Sequence, residues 1–269
     1  MREDSYAVRP HLIILGGGHV AQPLCRLARV MQYRITVMDD REEFASPKWF
    51  PDADEIICAD FSELHKRIPE GEEDYHVIIT RGHQADQLCV EQILPRSSAY
   101  VGMIGSRAKV ARCRQLLLEH GFSEEDLQRL HAPIGIRLGG QLPEEIAVSI
   151  LAQIVEVKSA REKIVRDPAV AKALEQKVPG VLLTIIEKSG SAPRGVGSRM
   201  LVADTGECYG SIGGGAIEYQ AAKDALTMEL PCDRHYDLSL RDAGNLGMVC
   251  GGAVTVHFER ITYDKLSES

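Results

Sequence analysis

A glycine-rich stretch near the start of the chain has the spacing of a phosphate-binding turn. Residues 16–21 read Gly-Gly-Gly-His-Val-Ala, and they follow a short apolar run, His11–Leu15. A turn that opens a helix leaves backbone N–H groups free, and the helix dipole favours an anion there. In this pattern Gly16 allows a tight turn, Gly18 lets a phosphate approach the backbone, and Ala21 permits close helix packing. The alternative is a glycine turn that serves packing alone.

Asp39 would decide which nucleotide such a turn accepts. It ends the next apolar run, which begins at Arg34. An acidic residue about 20 positions after the first glycine binds the ribose hydroxyls of a dinucleotide. We therefore expect a ligand of this turn to be NAD or another adenine nucleotide with a free 2′-hydroxyl, rather than NADP.

Two further polar loops follow strand-like runs. Thr80 and His83 come after one such run, with His83 predicted to lie in a loop, and Ser106 and Arg107 come after the next run. Ligands of open α/β sheets bind at the carboxyl ends of the strands. Arg107 would suit a phosphate there. The alternative is that Thr80 and Ser106 only cap helices and that His83 is a solvated side chain.

Glycine-rich segments return in the last third of the chain. Residues 189–199 form a loop that carries Arg194, and residues 210–218 contain the run Gly213–Gly215 before a predicted helix. Successive glycines can direct their N–H groups into one anion-binding concavity. A third segment, residues 247–252, contains Cys250. A thiolate at Cys250 would suit a soft metal centre, and the alternative is a small buried apolar residue.

Two kinds of element must position these segments. Up to about residue 160, strand-like runs alternate with helical patterns, which predicts a doubly wound, Rossmann-like parallel sheet. After residue 179, four strand-like runs and one helical segment predict a smaller α+β domain. We therefore predict an α/β protein with domains at 1–160 and 179–269, joined by a charged helical linker at 161–178.

The composition excludes several classes of function. The net charge of −8 argues against a nucleic-acid-binding surface. No run approaches the roughly 18 apolar residues of a membrane span. The first residues lack the pattern of a signal peptide. Seven cysteines without a CxxC pair indicate reduced thiols in the cytoplasm and disfavour a metal site.

Together these motifs resemble the xanthine dehydrogenase accessory factor family, XdhC/CoxI. The resemblance covers nearly the whole chain. In the first domain it lies in Gly16–Leu24, Asp39, Thr80–Asp86, Tyr100–Arg107 and Pro133–Ile150. In the second domain it lies in Gly190–Leu201, Gly210–Glu218, His235–Ser239 and Gly247–Gly252. The domain order departs from that of the family, in which the glycine-rich domain usually comes first.

The resemblance implies a binding protein rather than an enzyme with its own turnover. Members of the family are understood to bind the molybdenum cofactor, to shield it while a cysteine desulfurase adds sulfur, and to deliver it to a molybdenum hydroxylase apoenzyme such as xanthine dehydrogenase. Cys250 is the candidate catalytic residue. Where this chain has Ala216, some relatives carry a second cysteine, so a scheme that needs two thiols lacks support. The expected cofactor-binding residues are Gly16, Gly18, Ala21, Asp39, Thr80, His83, Ser106, Arg107, Arg194, Gly213, Gly214, Gly215, Glu218 and Cys250.

Two other functions fit the same motifs. An NAD-dependent oxidoreductase would use the first domain for hydride transfer, with His83 as its best acid–base candidate. A nucleotide-sensing regulator would use the same turn without chemistry. The oligomeric state is open, with a homodimer as one arrangement.

Overall fold

The computed structural model describes residues 9–71, 74–161, 167–237 and 252–263. The chain divides into two compact units, one formed by residues 9–161 and the other mainly by the residues from 162 onward.

The first unit is a six-stranded sheet in the order β3-β2-β1-β4-β5-β6, with all neighbouring strands parallel. Its strands are β1 (His11–Leu15), β2 (Arg34–Asp39), β3 (Glu55–Cys58), β4 (Asp74–Ile78), β5 (Tyr100–Met103) and β6 (Leu130–His131). Its helices are α1 (Ala21–Val30), α2 (Leu64–Arg67), α3 (His83–Ile93), α4 (Arg107–Glu119), α5 (Glu124–Gln128) and α6 (Pro143–Arg161). The predicted doubly wound, Rossmann-like sheet is confirmed.

Helices cover both faces of this sheet. Successive side chains of a strand point to opposite faces. Leu12 and Ile14 of β1 therefore pack in the core that contains α1 and α6, whereas Ile13 and Leu15 pack in the core that contains α3 and α4. This double covering explains why His11–Leu15 is almost uniformly apolar instead of alternating.

The second unit is a five-stranded antiparallel sheet in the order β10-β11-β7-β8-β9. Its strands are β7 (Gly180–Gly190), β8 (Arg199–Ala203), β9 (Cys208–Gly210), β10 (Cys232–Asp237) and β11 (Gly252–Ile261), and its helices are α7 (Pro168–Glu175) and α8 (Gly215–Ala225). The predicted smaller α+β domain is confirmed. The strand β10 was not predicted, because its sequence is polar and its side chains are mostly exposed at the edge of the sheet.

The two helices of the second unit lie on opposite faces of its sheet. Ile217 and Ala221 of α8 pack with Leu183 of β7. Val170 and Ala173 of α7 pack with Leu182 and Leu201 on the other face. The segment predicted as a helical linker, 161–178, thus contains a helix that is buried against this sheet.

Candidate functional site

The glycine turn of the first unit lies where the strand order changes direction. β1 ends at Leu15, and its neighbours in the sheet are β2 and β4. Gly16 donates its N–H to the carbonyl oxygen of Met38 at 2.8 Å. A Cβ at Gly18 would meet no atom within 4 Å, so the backbone there faces open space. This is the position at which open α/β sheets bind ligands.

Asp39 is held by its own chain in this structure. Its side chain is buried, and its Oδ2 accepts the N–H of Gly17 at 2.7 Å. The Arg41 guanidinium donates to both carboxylate oxygens, at 2.9 Å and 3.0 Å. Burial opposes ionisation, but the hydrogen bonds from Arg41 and Gly17 outweigh it and lower the pKa of Asp39. A ribose would have to compete with Arg41 for this carboxylate.

A buried ion pair links α3, the helix that follows β4, to α4, the helix that follows β5. Asp86, fully buried near the start of α3, accepts hydrogen bonds from the backbone N–H and the hydroxyl of Thr80, at 3.1 Å and 2.6 Å. Its other oxygen pairs with the ammonium group of Lys109 on α4. Burial raises the pKa of Asp86, although the bonds from Lys109 and Thr80 act against that rise. Thr80 is therefore buried and oriented by Asp86.

The remaining predicted residues of the first unit lie at the same sheet edge. The loop position predicted for His83 is wrong, because His83 is the first residue of α3, where its side chain is exposed. Ser106 caps α4 by accepting the N–H of Lys109 at 3.2 Å, and Arg107 is exposed beside it. Ala21 is buried at the start of α1.

In the second unit, the run Gly213–Gly215 closes around a carboxylate of the same chain. Glu218 Oε1 accepts the N–H groups of Ile212, Gly213 and Gly214 at 3.0, 3.1 and 2.7 Å. It also accepts the hydroxyl of Ser211 at 2.5 Å. Burial opposes ionisation, but these bonds outweigh it and lower the pKa of Glu218. The concavity predicted for a phosphate thus receives Glu218, one turn into α8.

The predicted loop segments of the second unit meet beside this turn. A Cβ at Gly213 would lie 3.7 Å from the ring of Pro193, so the 191–198 loop borders the turn. Gly252 pairs with Gly190 at the start of the same loop. Arg194 is exposed, and Cβ atoms at Gly195 and Gly214 would meet nothing within 4 Å. The structure therefore places an exposed arginine next to open backbone.

The segment 247–252, which contains Cys250, lies outside the described residues except for its last residue, Gly252. Among residues 9–71, 74–161, 167–237 and 252–263, no group of three or more His, Cys, Asp or Glu side chains is placed to hold a metal ion. No helix in the described part of the chain combines the length and apolarity that a membrane crossing requires.

Arg41 and Lys109 were not predicted from the sequence. Arg41 lies two residues after Asp39, and an arginine this close to a strand-end acid was the available signal. Lys109 lies 23 residues from Asp86 in sequence, so local spacing contained no signal for that pair.

Glu218→Ala is expected to destabilise the glycine turn of the second unit. We expect the free energy of unfolding to fall by about 2 kcal/mol, because four donors lose one acceptor and water replaces it only in part. The amide protons of Gly213 and Gly214 should exchange much faster with deuterium, as measured by NMR. Glu259→Ala, on β11, is the matched control.

The pH dependence of this effect has a definite sign. The pKa of Glu218 is lowered in the folded chain, so its stabilisation is present above the unfolded pKa of about 4.3 and is lost as the pH falls through the folded value. The stability difference between the wild type and Glu218→Gln should therefore be largest near neutral pH and shrink in acid. An equal difference at pH 3 and pH 7 would contradict this assignment.

Both units of the chain match known protein families. Residues 12–154, slightly more than half of the chain, match the family described as the XdhC Rossmann domain. Residues 173–230 match the XdhC and CoxI family.

Proteins of known sequence show the same relationship. Uncharacterized protein YqeB of Escherichia coli (strain K12) is 29% identical over 195 residues, which are 72% of this chain and 35% of YqeB. A probable xanthine dehydrogenase subunit of Bacillus subtilis (strain 168) is 29% identical over 150 residues, which are 56% of this chain and 43% of that protein. The molybdenum cofactor insertion chaperone PaoD of Escherichia coli (strain K12) is 29% identical over 93 residues, which are 34% of this chain and 29% of PaoD.

A solved structure is similar in sequence and fold. The crystal structure of a xanthine dehydrogenase from Bacillus halodurans superposes with a TM-score of 0.52 at 30% identity. The likeness covers 58% of this chain and 44% of that chain. This chain therefore spans less than half of the length of each of these four relatives.

Proposed function

Because the chain belongs to the XdhC and CoxI family, we propose that it is an accessory protein that binds the molybdenum cofactor and supports its insertion into a molybdenum hydroxylase. The relative PaoD is named as a molybdenum cofactor insertion chaperone, and the Bacillus subtilis relative as a probable xanthine dehydrogenase component. These names support a role in molybdenum-cofactor handling.

The observation that carries this proposal is the meeting of two loops in the second unit. The 191–198 loop presents Arg194 beside open backbone at Gly195, and its Pro193 borders the turn at Gly213. When bound, the cofactor supplies a phosphate and a metal–sulfur centre. Arg194 would hold the phosphate through charge-assisted hydrogen bonds, and the open backbone would admit a bulky group.

Glu218 has a different role from the one its motif suggests. Its carboxylate already accepts the N–H groups of Ile212, Gly213 and Gly214, so it would repel a phosphate placed on the same donors. We assign Glu218 as a positioning residue that holds the turn in shape. The phosphate would then bind on the Arg194 side of the turn.

The finer steps of the proposal concern sulfur and partners. Cys250 would bind the metal or its sulfur as a thiolate. A cysteine desulfurase would supply the sulfur, and a hydroxylase apoenzyme would receive the loaded cofactor in the cytoplasm. The alternative of an NAD-dependent oxidoreductase is less well supported, because Asp39 is already occupied by Arg41 and Gly17.

The test is cofactor retention in protein purified anaerobically from cells that make the cofactor. Molybdenum is measured by elemental analysis and pterin by fluorescence after oxidation. Arg194→Ala should reduce both by about tenfold, the effect of losing one or two charge-assisted hydrogen bonds. Cys250→Ser should reduce sulfur transfer to a hydroxylase apoenzyme.

Matched controls separate these effects from general damage. Arg260→Ala removes an exposed arginine at the opposite end of the same sheet, where it forms a surface pair with Asp204. Cys58→Ser removes an exposed thiol in the other unit. Wild-type protein without molybdenum or pterin, or variants that retain both as well as their controls do, would overturn the proposal.

A further inference from the structure

An open groove of about 720 Å³ lies between α3 and α4. Small-molecule sites have volumes of roughly 300 to 1,000 Å³, so this groove is large enough for a ligand of nucleotide size. From His83 to Glu91 it follows α3 for about 12 Å, at about 1.5 Å for each helical residue. The residues that line it include none of the Gly16–Ala21 turn.

Part of the groove lining is apolar. Leu88 of α3, Cys113 and Leu116 of α4, and Met103 of β5 all line it. Burial raises the pKa of the Cys113 thiol to about 11, so the thiol is an uncharged part of this wall at neutral pH. Two apolar walls on opposite helices suit a planar ring, which gains from burial on both of its faces.

The charges of the groove favour an anionic group at its rim. Its two carboxylates are both engaged, Asp86 by Lys109 and Glu91 by His120 at 2.7 Å. Arg112 is exposed on the α4 side, and among the described residues no carboxylate lies within ion-pair distance of it. Its guanidinium is therefore the charged group of this groove that remains available to a ligand, and it matches a phosphate.

We propose that the α3–α4 groove binds a planar heteroaromatic molecule that carries a phosphate. The ring lies between Leu88 and Leu116, and the phosphate binds Arg112. A purine nucleotide and the pterin phosphate of the molybdenum cofactor share this chemistry. The pterin assignment rests on the proposed cofactor-binding role and would replace Arg194 by Arg112 as the phosphate ligand, whereas the nucleotide assignment is independent of that role.

The test is anaerobic titration of the full chain with AMP, adenosine and molybdopterin, followed by calorimetry or pterin fluorescence. Ala108→Trp places a large side chain in the groove from an exposed position of α4, and it should weaken binding at least tenfold. Ala111→Trp is the matched control, because Ala111 is an exposed residue of the same helix that does not line the groove. Circular dichroism checks that both variants fold.

Arg112→Gln tests the phosphate contact without filling the groove. It should weaken AMP by about tenfold while leaving adenosine unchanged, because adenosine lacks the phosphate. Binding of AMP without molybdopterin assigns a nucleotide to the groove, and the reverse assigns the pterin. Loss of molybdopterin in Ala108→Trp but not in Arg194→Ala would keep the groove and overturn the second-unit site. The proposal is overturned if neither phosphate-bearing probe binds, or if Ala108→Trp binds as tightly as Ala111→Trp.

Discussion

Asp86→Ala is expected to lower the free energy of unfolding of the first unit by about 3 to 5 kcal/mol, the range for breaking a buried ion pair. Asp86 is fully buried, and its removal leaves the Lys109 ammonium, only 15% exposed, without its partner. The buried N–H of Thr80 also loses its acceptor. Urea denaturation followed by the fluorescence of Trp49, the single tryptophan of the chain, reports on this unit.

The double variant Asp86→Ala/Lys109→Met distinguishes an unpaired charge from a simple loss of packing. Replacing both members of a buried pair by apolar residues is often far less destabilising than removing one. We therefore expect the double variant to be more stable than Asp86→Ala by at least about 1 kcal/mol. If the two single losses simply add, Asp86 and Lys109 do not act as a pair.

Gly16→Ala is expected to lower the free energy of unfolding by about 3 kcal/mol, at the upper end of the range for backbone strain. Gly16 has a φ of +109°, which residues with a Cβ rarely adopt. A Cβ at this position would also lie 2.5 Å from the carbonyl oxygen of Ile79, so the neighbouring strand end would have to move. The same urea titration measures the loss.

Gly18→Ala is the matched control for this prediction. Gly18 lies in the same turn, but a Cβ there would meet no atom within 4 Å. Its effect on stability should stay within about 0.5 kcal/mol, as for most exposed substitutions. If both substitutions lower the free energy of unfolding equally, then the turn as a whole requires glycine, and the contact with Ile79 is not the reason for the loss at Gly16.

Much of the fold could be predicted from local sequence pattern. The apolar run His11–Leu15 is a strand with the same bounds in the structure. The glycine turn was predicted at the end of β1, and the structure confirms its place. These features depend on short apolar runs and on turn chemistry within a few positions, so they are readable without long-range contacts.

The candidate site could be predicted from local sequence only in part. The sequence located the strand end at Asp39, the loops that contain Thr80, Ser106 and Arg194, and the glycine turn before Glu218, but the binding roles of these residues and the domain bounds at 160 and 178 remain predictions. The charged edge strand β10 escaped prediction because strands at a sheet edge need little apolar surface.

Amino-acid sequence by itself determined the two kinds of sheet and the glycine turns of this protein. Tertiary structure decided which partners the polar groups take. Strand order brings β4 beside β5, and this brings Asp86 to Lys109 across two helices. The bonds from Gly213 and Gly214 to Glu218, by contrast, join residues only five and four positions apart, so they belong to the local turn that opens α8. A buried polar group must find a partner, but any of several donors would satisfy it, so only the folded arrangement selects one.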